Sequence, residues 1–277
     1  MANFLENFKK FILPNKLILI SLIIAICIVF SSLFAPYIAP YDPLEPNYSA
    51  ILEGPSPQHI FGTDDLGRDI FSRILYGGRI SLIVSLSSVV LGMILGVGLG
   101  FFAGYLGGRV DFWSQRLIDF LLSFPGILLA IFVSVVIGTG LFPVILAISI
   151  WSVPTFCRIT RGMVMSTVHK EYVIAAKASG GGMLRIMFKH ILRNIMGPIL
   201  VYATLRLGSA ILTTAYLSFL GVGISPPTPE WGLLVAEGQK YIQDYMHVIF
   251  FPGMAIFITV LVFNILGDGL RDLFDVR

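Results

Sequence analysis

Charge is scarce in this chain of 277 residues: Asp, Glu, Lys and Arg make up 13% of it, where a soluble domain carries about 25%. So few charges cannot cover a water-facing surface, which excludes a secreted enzyme, a disordered tail and a nucleic-acid binder. Cysteine is nearly missing. Cys27 and Cys157 lie far apart in apolar surroundings with no CxxC, so neither a disulfide framework nor a thiolate metal site is suggested. The four histidines, His59, His169, His190 and His247, are scattered outside the apolar runs, with no HExxH and no histidine–carboxylate cluster. No lysine follows a glycine anywhere. The phosphate loop G-x-x-x-x-G-K-S/T is therefore lacking, and with it that route to ATP hydrolysis.

Apolar residues are abundant, at 56%, and the mean hydropathy is +0.87. A bilayer core takes about 20 apolar residues in a helix. Six runs qualify: 17–35, 80–104, 120–138, 141–157, 197–221 and 248–267. Lipid offers no partner to unpaired backbone groups, so each run is expected to be helical. The fold class is all-α: a polytopic membrane protein with six transmembrane helices. The third and fourth runs, separated by Thr139 and Gly140, form a helical hairpin. Lys9, Lys10 and Lys16 precede the first run as they would a signal peptide, but the run is too long for a signal core and Pro36 stands where cleavage would occur. It is expected to be a retained helix.

Basic residues set the orientation. With the N-terminus inside, the inner segments 1–16, 105–119, 158–196 and 268–277 hold 14 of the 19 Lys and Arg, and the outer segments 36–79 and 222–247 hold 4. Both termini are therefore read as cytoplasmic. The remaining cation, Arg206, lies inside the fifth run, about 13 Å from its start at 1.5 Å per residue. A charge at that depth must be paired or face water. Arg206 is expected to meet one of these conditions. In the second run, Gly92, Gly96, Gly100 and Gly104 recur every four residues. That glycine face lets another helix approach closely, inside one subunit or at a seam between two.

Two loops exceed plain connectors. The outer loop 36–79 is proline-dense at first. It then gathers Asp64, Asp65, Arg68, Asp69 and Arg73, which read as a local ion-pair cluster, and Ile70, Phe71, Ile74 and Leu75, which fit one face of an interfacial helix. The inner loop 158–196 carries seven Lys and Arg and one acid, Glu171. Orientation alone accounts for much of that charge. Its centre is more specific. Ala175, Ala176 and Ala178 are small helix formers. Glu171 opens the stretch, where a carboxylate complements the helix dipole, and Gly180 ends it. A short helix is expected over 171–180.

The stretch Glu171-Tyr-Val-x-Ala-Ala-x-Ala-x-Gly180, with Ile186 and His190-Ile-Leu-x-Asn194, resembles the EAA loop of ABC importer permeases. Phe61-Gly-Thr-Asp-x-x-Gly-Arg-Asp69 is similar to the signature ahead of the second span in C-type permeases of the dipeptide/oligopeptide/nickel importers. Leu217-Ser-Phe-Leu-Gly-Val-Gly223, Pro229-Glu-Trp-Gly232 and the ending Phe263-Asn-Ile-Leu-Gly-Asp-Gly-Leu-Arg-Asp-Leu273 match the same branch. The similarity runs from the first span to the end of the chain. Relatives often carry an acid in the fifth span, at about Thr214, where this chain has Thr213-Thr214 and places Arg206 two turns earlier. In a permease of this kind Arg206 either lines the translocation path and meets a substrate carboxylate or pairs with an acid or carbonyl of the partner permease.

The resemblance implies an ABC importer permease: a non-catalytic membrane subunit forming half of a pore, most simply for short peptides, with nickel or a metal chelate as the alternative. Segment 1–79 would hold the cytoplasmic tail, the first helix and the outer loop. Segment 80–277 would be the permease core, with five helices and the EAA loop 158–196. The implied partners are membrane lipid, a paralogous permease, two ATPase subunits or domains and an outer solute-binding protein. ATP and Mg would sit on the ATPases and no cofactor on this chain. The site residues carried over are Glu171, Ala175, Ala176, Ala178 and Gly180 for ATPase coupling, and Gly62, Thr63, Asp64, Gly67, Arg68 and Asp69 for the outer motif. The location implied is a bacterial or archaeal cytoplasmic membrane. A stand-alone channel or secondary transporter is the alternative of another class. It calls for internal repeats and broken or ionisable spans, and the sequence shows no clear repeat and one charged span. An intramembrane protease would need a serine–histidine pair, paired aspartates or a zinc motif within the spans, and none is found.

Overall fold

Five of the six apolar runs become long helices in the computed structural model of the protein, which describes residues 15–275, and three of these tolerate a proline inside the helix. Lys9 and Lys10 of the expected cytoplasmic tail, and Arg277, lie outside the described residues. The helices are α1 (Lys16–Leu33), α2 (Ile70–Leu106), α3 (Gly108–Leu122), α4 (Gly126–Ile137), α5 (Leu141–Val168), α6 (Glu171–Ala178), α7 (Arg193–Phe219), α8 (Trp231–Gly238) and α9 (His247–Asp275). A π-helical segment, Ile186–Leu192, runs directly into α7. Among the described residues the only β-type pairing is a single bridge between Thr63 and Asp69.

Among the described residues five helical stretches are long and apolar enough to cross a membrane: α1, α2, α5, Met183–Phe219 and His247–Leu273; the bent pair of α3 and α4, taken as one span, makes the sixth. That sixth crossing departs from the expected single helix. The run 120–138 is not one helix. It breaks between Leu122 and Gly126, and α3 and α4 meet at 88°. Pro125 is the cause. Its ring pushes Phe124 out of the helical region, and it has no amide proton to continue the ladder. α4 then restarts with Pro125 at its N-cap. Its 12 residues reach about 18 Å at 1.5 Å per residue, short of a bilayer core of about 30 Å. α3 is amphipathic instead. Phe112, Trp113, Leu117 and Phe120 are exposed, while Asp111 takes a two-pronged ion pair from Arg161 of α5 and Asp119 accepts from Arg158 Nη2 at 2.8 Å.

The expected loops also shrink. The interfacial helix foreseen over Ile70–Leu75 is the first two turns of α2, which is 37 residues long and so about 55 Å at 1.5 Å per residue. The inner loop narrows to the residues around α6, because α5 continues past Cys157 to Val168 and the helical stretch before α7 begins at Met183.

The core is built on α2 against α5. The glycine face of α2 is filled from within the chain: Gly92 lies on Ser149 and Ser152, Gly96 on Val153 and Phe156, Gly100 on Cys157, and Gly104 on Arg161 and Val164. That excludes the seam between subunits for these four glycines. Val84, Val89, Phe101, Ile148, Phe156 and Val164 extend the contact into one apolar cluster shared with Ile186, Ile191, Ile195 and Ile199.

A Cβ on Gly96 would press on the Val153 carbonyl and Phe156, whereas Gly98 faces open space. Gly96→Leu is therefore expected to destabilise the protein by about 3 kcal/mol or more through overpacking, and Gly98→Leu to leave it near wild type. Thermal unfolding of the two variants in detergent checks the contrast.

Candidate functional site

Chemistry-bearing residues collect at three levels: the two ends of α2 and the middle of α7. At the N-terminal end of α2 the outer motif is almost wholly buried. Gly62 and Gly67 have φ of 78° and 72°, and a Cβ on Gly67 would overlap the Asn47 carbonyl. Both glycines are needed to fold residues 47–69 back on themselves. Thr63 accepts from the Glu53 amide at 2.9 Å and donates to the Ala50 carbonyl.

Asp64 is the hub. Its Oδ1 takes the amides of Leu66 and Arg68 at 2.9 and 3.0 Å. Its Oδ2 takes Arg68 Nε at 2.8 Å and also Arg73 Nη1. Arg73 is 1% exposed, and its Nη1 reaches Glu237 of α8 at 3.0 Å. Arg68 Nη2 approaches the same carboxylate at 3.6 Å. Two acids and two arginines thus cancel, bolting the outer loop to α2 and α8. The Asp65 carboxylate beside Tyr241 holds its phenol above the usual range.

Asp69 serves elsewhere. It caps α2 by accepting from the Ser72 amide and hydroxyl at 2.7 and 2.8 Å, and it contacts His59 Nδ1 at 2.9 Å. A second buried carboxylate, Glu230, caps α8 through the Leu233 amide at 3.0 Å and accepts from Ser81 Oγ at 2.8 Å. Trp231 Nε1 donates to the Ile74 carbonyl at 2.9 Å. Reading the chain locally identifies Asp64, Arg68 and Arg73 but misses Glu237 and Glu230, whose partners lie more than 140 positions away.

At the other end of α2, α6 packs by one residue, the fully buried Val173. Lys177 Nζ lies 5.5 Å from the Tyr105 ring centroid, and Asn194 Nδ2 donates to Tyr172 Oη at 2.7 Å. The C-terminus is a Schellman cap. Gly180 has φ 74°, its amide bonds the Lys177 carbonyl at 3.0 Å, and the Gly181 amide bonds that of Ala176 at 3.0 Å. Glu171, Ala175, Ala178 and Gly180 are exposed, and Ala176 is half-buried toward the core. Ile174, Met183, Leu184 and Phe188 add exposed apolar surface around the small residues. Among the described residues Glu171 makes no ion pair; the pairs at this end are Arg161–Asp111 and Arg158–Asp119, which tie α5 to α3.

Arg206 sits between these ends, half-buried on α7. Its guanidinium lies 4.9 Å from the Trp151 ring centroid, and Nη2 donates to Ser152 Oγ at 2.9 Å.

Comparison with known proteins follows this geometry. Residues 96–277 match the family described as binding-protein-dependent transport system inner membrane component, and residues 6–55 match the N-terminal TM domain of oligopeptide transport permease C. The chain is 43% identical to the di/tripeptide transport system permease protein DppC of Pseudomonas aeruginosa, covering 99% of this chain and 92% of that protein. It is 45% identical to the dipeptide transport system permease protein DppC of Alkalihalophilus pseudofirmus, over 98% and 89%. It is 42% identical to the glutathione transport system permease protein GsiD of Pectobacterium atrosepticum, over 98% and 90%. Among solved structures, an inward-facing conformation of the MetNI methionine ABC transporter aligns at a TM-score of 0.59 and 19% identity, over 75% of this chain and 98% of that one.

Arg73→Met would strand Asp64 and Glu237 with one cation fewer. Removing one partner of a buried pair costs about 3–5 kcal/mol, so its unfolding midpoint is expected to fall sharply. Arg79→Gln, at an exposed position on the same helix, should leave it unchanged. Thermal unfolding of the purified variants measures the difference.

Proposed function

The chain belongs to the family of binding-protein-dependent transport system inner membrane components, and from that membership we propose that it is the permease subunit of an ATP-driven importer of dipeptides, forming half of the translocation pore. The observation that carries the substrate is full-length similarity above 40% to permeases named for dipeptides and for di- and tripeptides. On this reading a paralogous permease supplies the other half of the pore, separate ATPase subunits hydrolyse ATP, and a solute-binding protein delivers the peptide. This chain does no chemistry of its own.

The orientation with both termini inside follows from the basic residues, 14 on inner segments against 4 on outer ones. It puts α6 on the cytoplasmic face and the Asp64–Arg73–Glu237 bolt outside. Each face then suits its partner. The outer surface is a rigid, charge-balanced platform for a binding protein. The inner surface is a short helix whose exposed alanines leave low relief for close approach, ringed by Ile174, Met183, Leu184 and Phe188. Arg73 and Tyr105 sit at opposite ends of one continuous helix, 32 residues and so about 48 Å apart at 1.5 Å per residue. An ATPase pushing on α6 is thereby connected to the outer gate through a single rod.

Ala178→Trp and Gly180→Val test the coupling role. Ala178 is exposed, so bulk there leaves the fold intact, and valine at a φ of 74° strains the Schellman turn by about 1–2 kcal/mol. Both variants are expected to reach the membrane at wild-type levels while ATPase co-purification and dipeptide uptake fall together. Wild-type uptake in both would end the coupling assignment.

A further inference from the structure

Buried or paired arginines elsewhere in the structure meet acids: Arg73 with Asp64 and Glu237, Arg161 with Asp111, Arg158 with Asp119. Arg206 does not. Among the described residues its contacts are one hydroxyl, Ser152 Oγ, and the face of Trp151, and its Nε is buried with no hydrogen-bond partner. Its place in the middle of a membrane-crossing helix makes this costly unless an anion or water completes it.

The helix around it is not lipid-like. Tyr202, Arg206, Ser209, Thr213 and Tyr216 follow at i, i+4, i+7, i+11 and i+14, one stripe of α7. It runs about 21 Å at 1.5 Å per residue, most of the way across a bilayer core. Thr213 is buried and Tyr202 packs edge-on against Phe156, but Arg206 and Ser209 are partly open and Tyr216 is exposed. That part of the stripe, with an acid-free guanidinium, suits a water-filled path carrying anionic groups.

Trp151 has a second neighbour. Gly126, the first residue after the Pro125 break, lies so close to the indole that a Cβ there would collide with Nε1. The indole is wedged between the α3–α4 elbow and the guanidinium. It fixes the arginine by its π face without neutralising it, so the cation stays free to take a carboxylate and, unlocked by any acid, to release it. Transport requires both steps.

We propose that Arg206, held by Trp151 and Ser152, is the point in the translocation path that receives the C-terminal carboxylate of a passing peptide. This rests on the peptide-importer reading above. The alternative occupant is an acid of the partner permease, which would make Arg206 an assembly residue.

The test uses the complete complex with its partner permease, ATPases and binding protein, reconstituted in liposomes. Uptake of a dipeptide and of its C-terminal amide is measured, each at a concentration saturating the binding protein. Arg206→Gln should lower dipeptide uptake about tenfold, the worth of one charge-assisted hydrogen bond, and leave the amide nearly unchanged, so that their ratio moves toward one. Arg206→Lys should restore much of the ratio. Partner co-purification should stay at wild-type levels. In a background with Cys27 and Cys157 replaced by serine, Arg206→Cys should react with a membrane-impermeant charged thiol reagent, and the dipeptide should slow that reaction.

An unchanged ratio in Arg206→Gln, or a thiol at this position that stays inert, overturns the assignment. Loss of the partner permease from Arg206→Gln overturns it in favour of an assembly pair. A wild-type complex that takes up neither compound overturns the dipeptide reading and this assignment together, a result distinct from any failure confined to the variants.

Discussion

The close approach of α2 to α5 is the constraint on which the other elements depend. In lipid the hydrophobic effect gives little drive for helix association, and packing must supply it. Four glycines one turn apart remove the side chains that would hold the helices apart, so that α5 backbone and small side chains sit directly on α2. Everything else is placed from this pair. α3 attaches to α5 through Asp111 and Asp119, α7 and the π-helical segment share the apolar cluster formed by α2 and α5, and α8 caps the outer end of α2 through Glu230 and Trp231.

A rod fixed in this way has two ends that differ electrostatically: Arg73 is buried with its acids at one end, and the pairs of Arg158 and Arg161 are more exposed at the other. At the outer end charges are buried and mutually cancelled, which costs desolvation but leaves one arrangement. Asp64 alone satisfies two amides and two guanidinium groups. At the inner end Glu171 and the small residues of α6 stay exposed and are held mainly by Val173 and a capped turn. The first design resists motion and the second leaves a surface for another protein. On the proposed reading, a subunit that passes force from a cytoplasmic motor to an outer gate needs both.

Periodicity and composition made the spans, the glycine face and the α6 helix readable, because each is encoded within a few turns of chain. Gly180 is an example: its left-handed φ follows from a helix of alanines that must stop. Three features were less readable, the first for the opposite reason. Glu237 and Glu230 find their partners only after the outer loop and α8 are brought together, so nothing near Arg73 or Ser81 announces them. The break at Pro125 lay inside a run whose hydropathy outweighed a single proline in the count, although the restriction that proline puts on Phe124 is local. α2 and α5 extend beyond their apolar runs, to Ile70–Leu106 and Leu141–Val168. Arg158 and Arg161 extend α5 by pairing with α3.

The broken crossing and the unpaired cation belong together physically. A straight third span would carry ordinary side chains past α5. The Pro125 break instead brings Gly126, a residue with no side chain, against the Trp151 indole, and that indole is what fixes Arg206. Replacing the elbow by a continuous helix would change what lies against the indole and loosen the guanidinium from its aromatic support. The short α4 therefore has a structural consequence beyond its incomplete length. It positions the aromatic wall of Arg206, a cation in the middle of a crossing that meets no acid among the described residues.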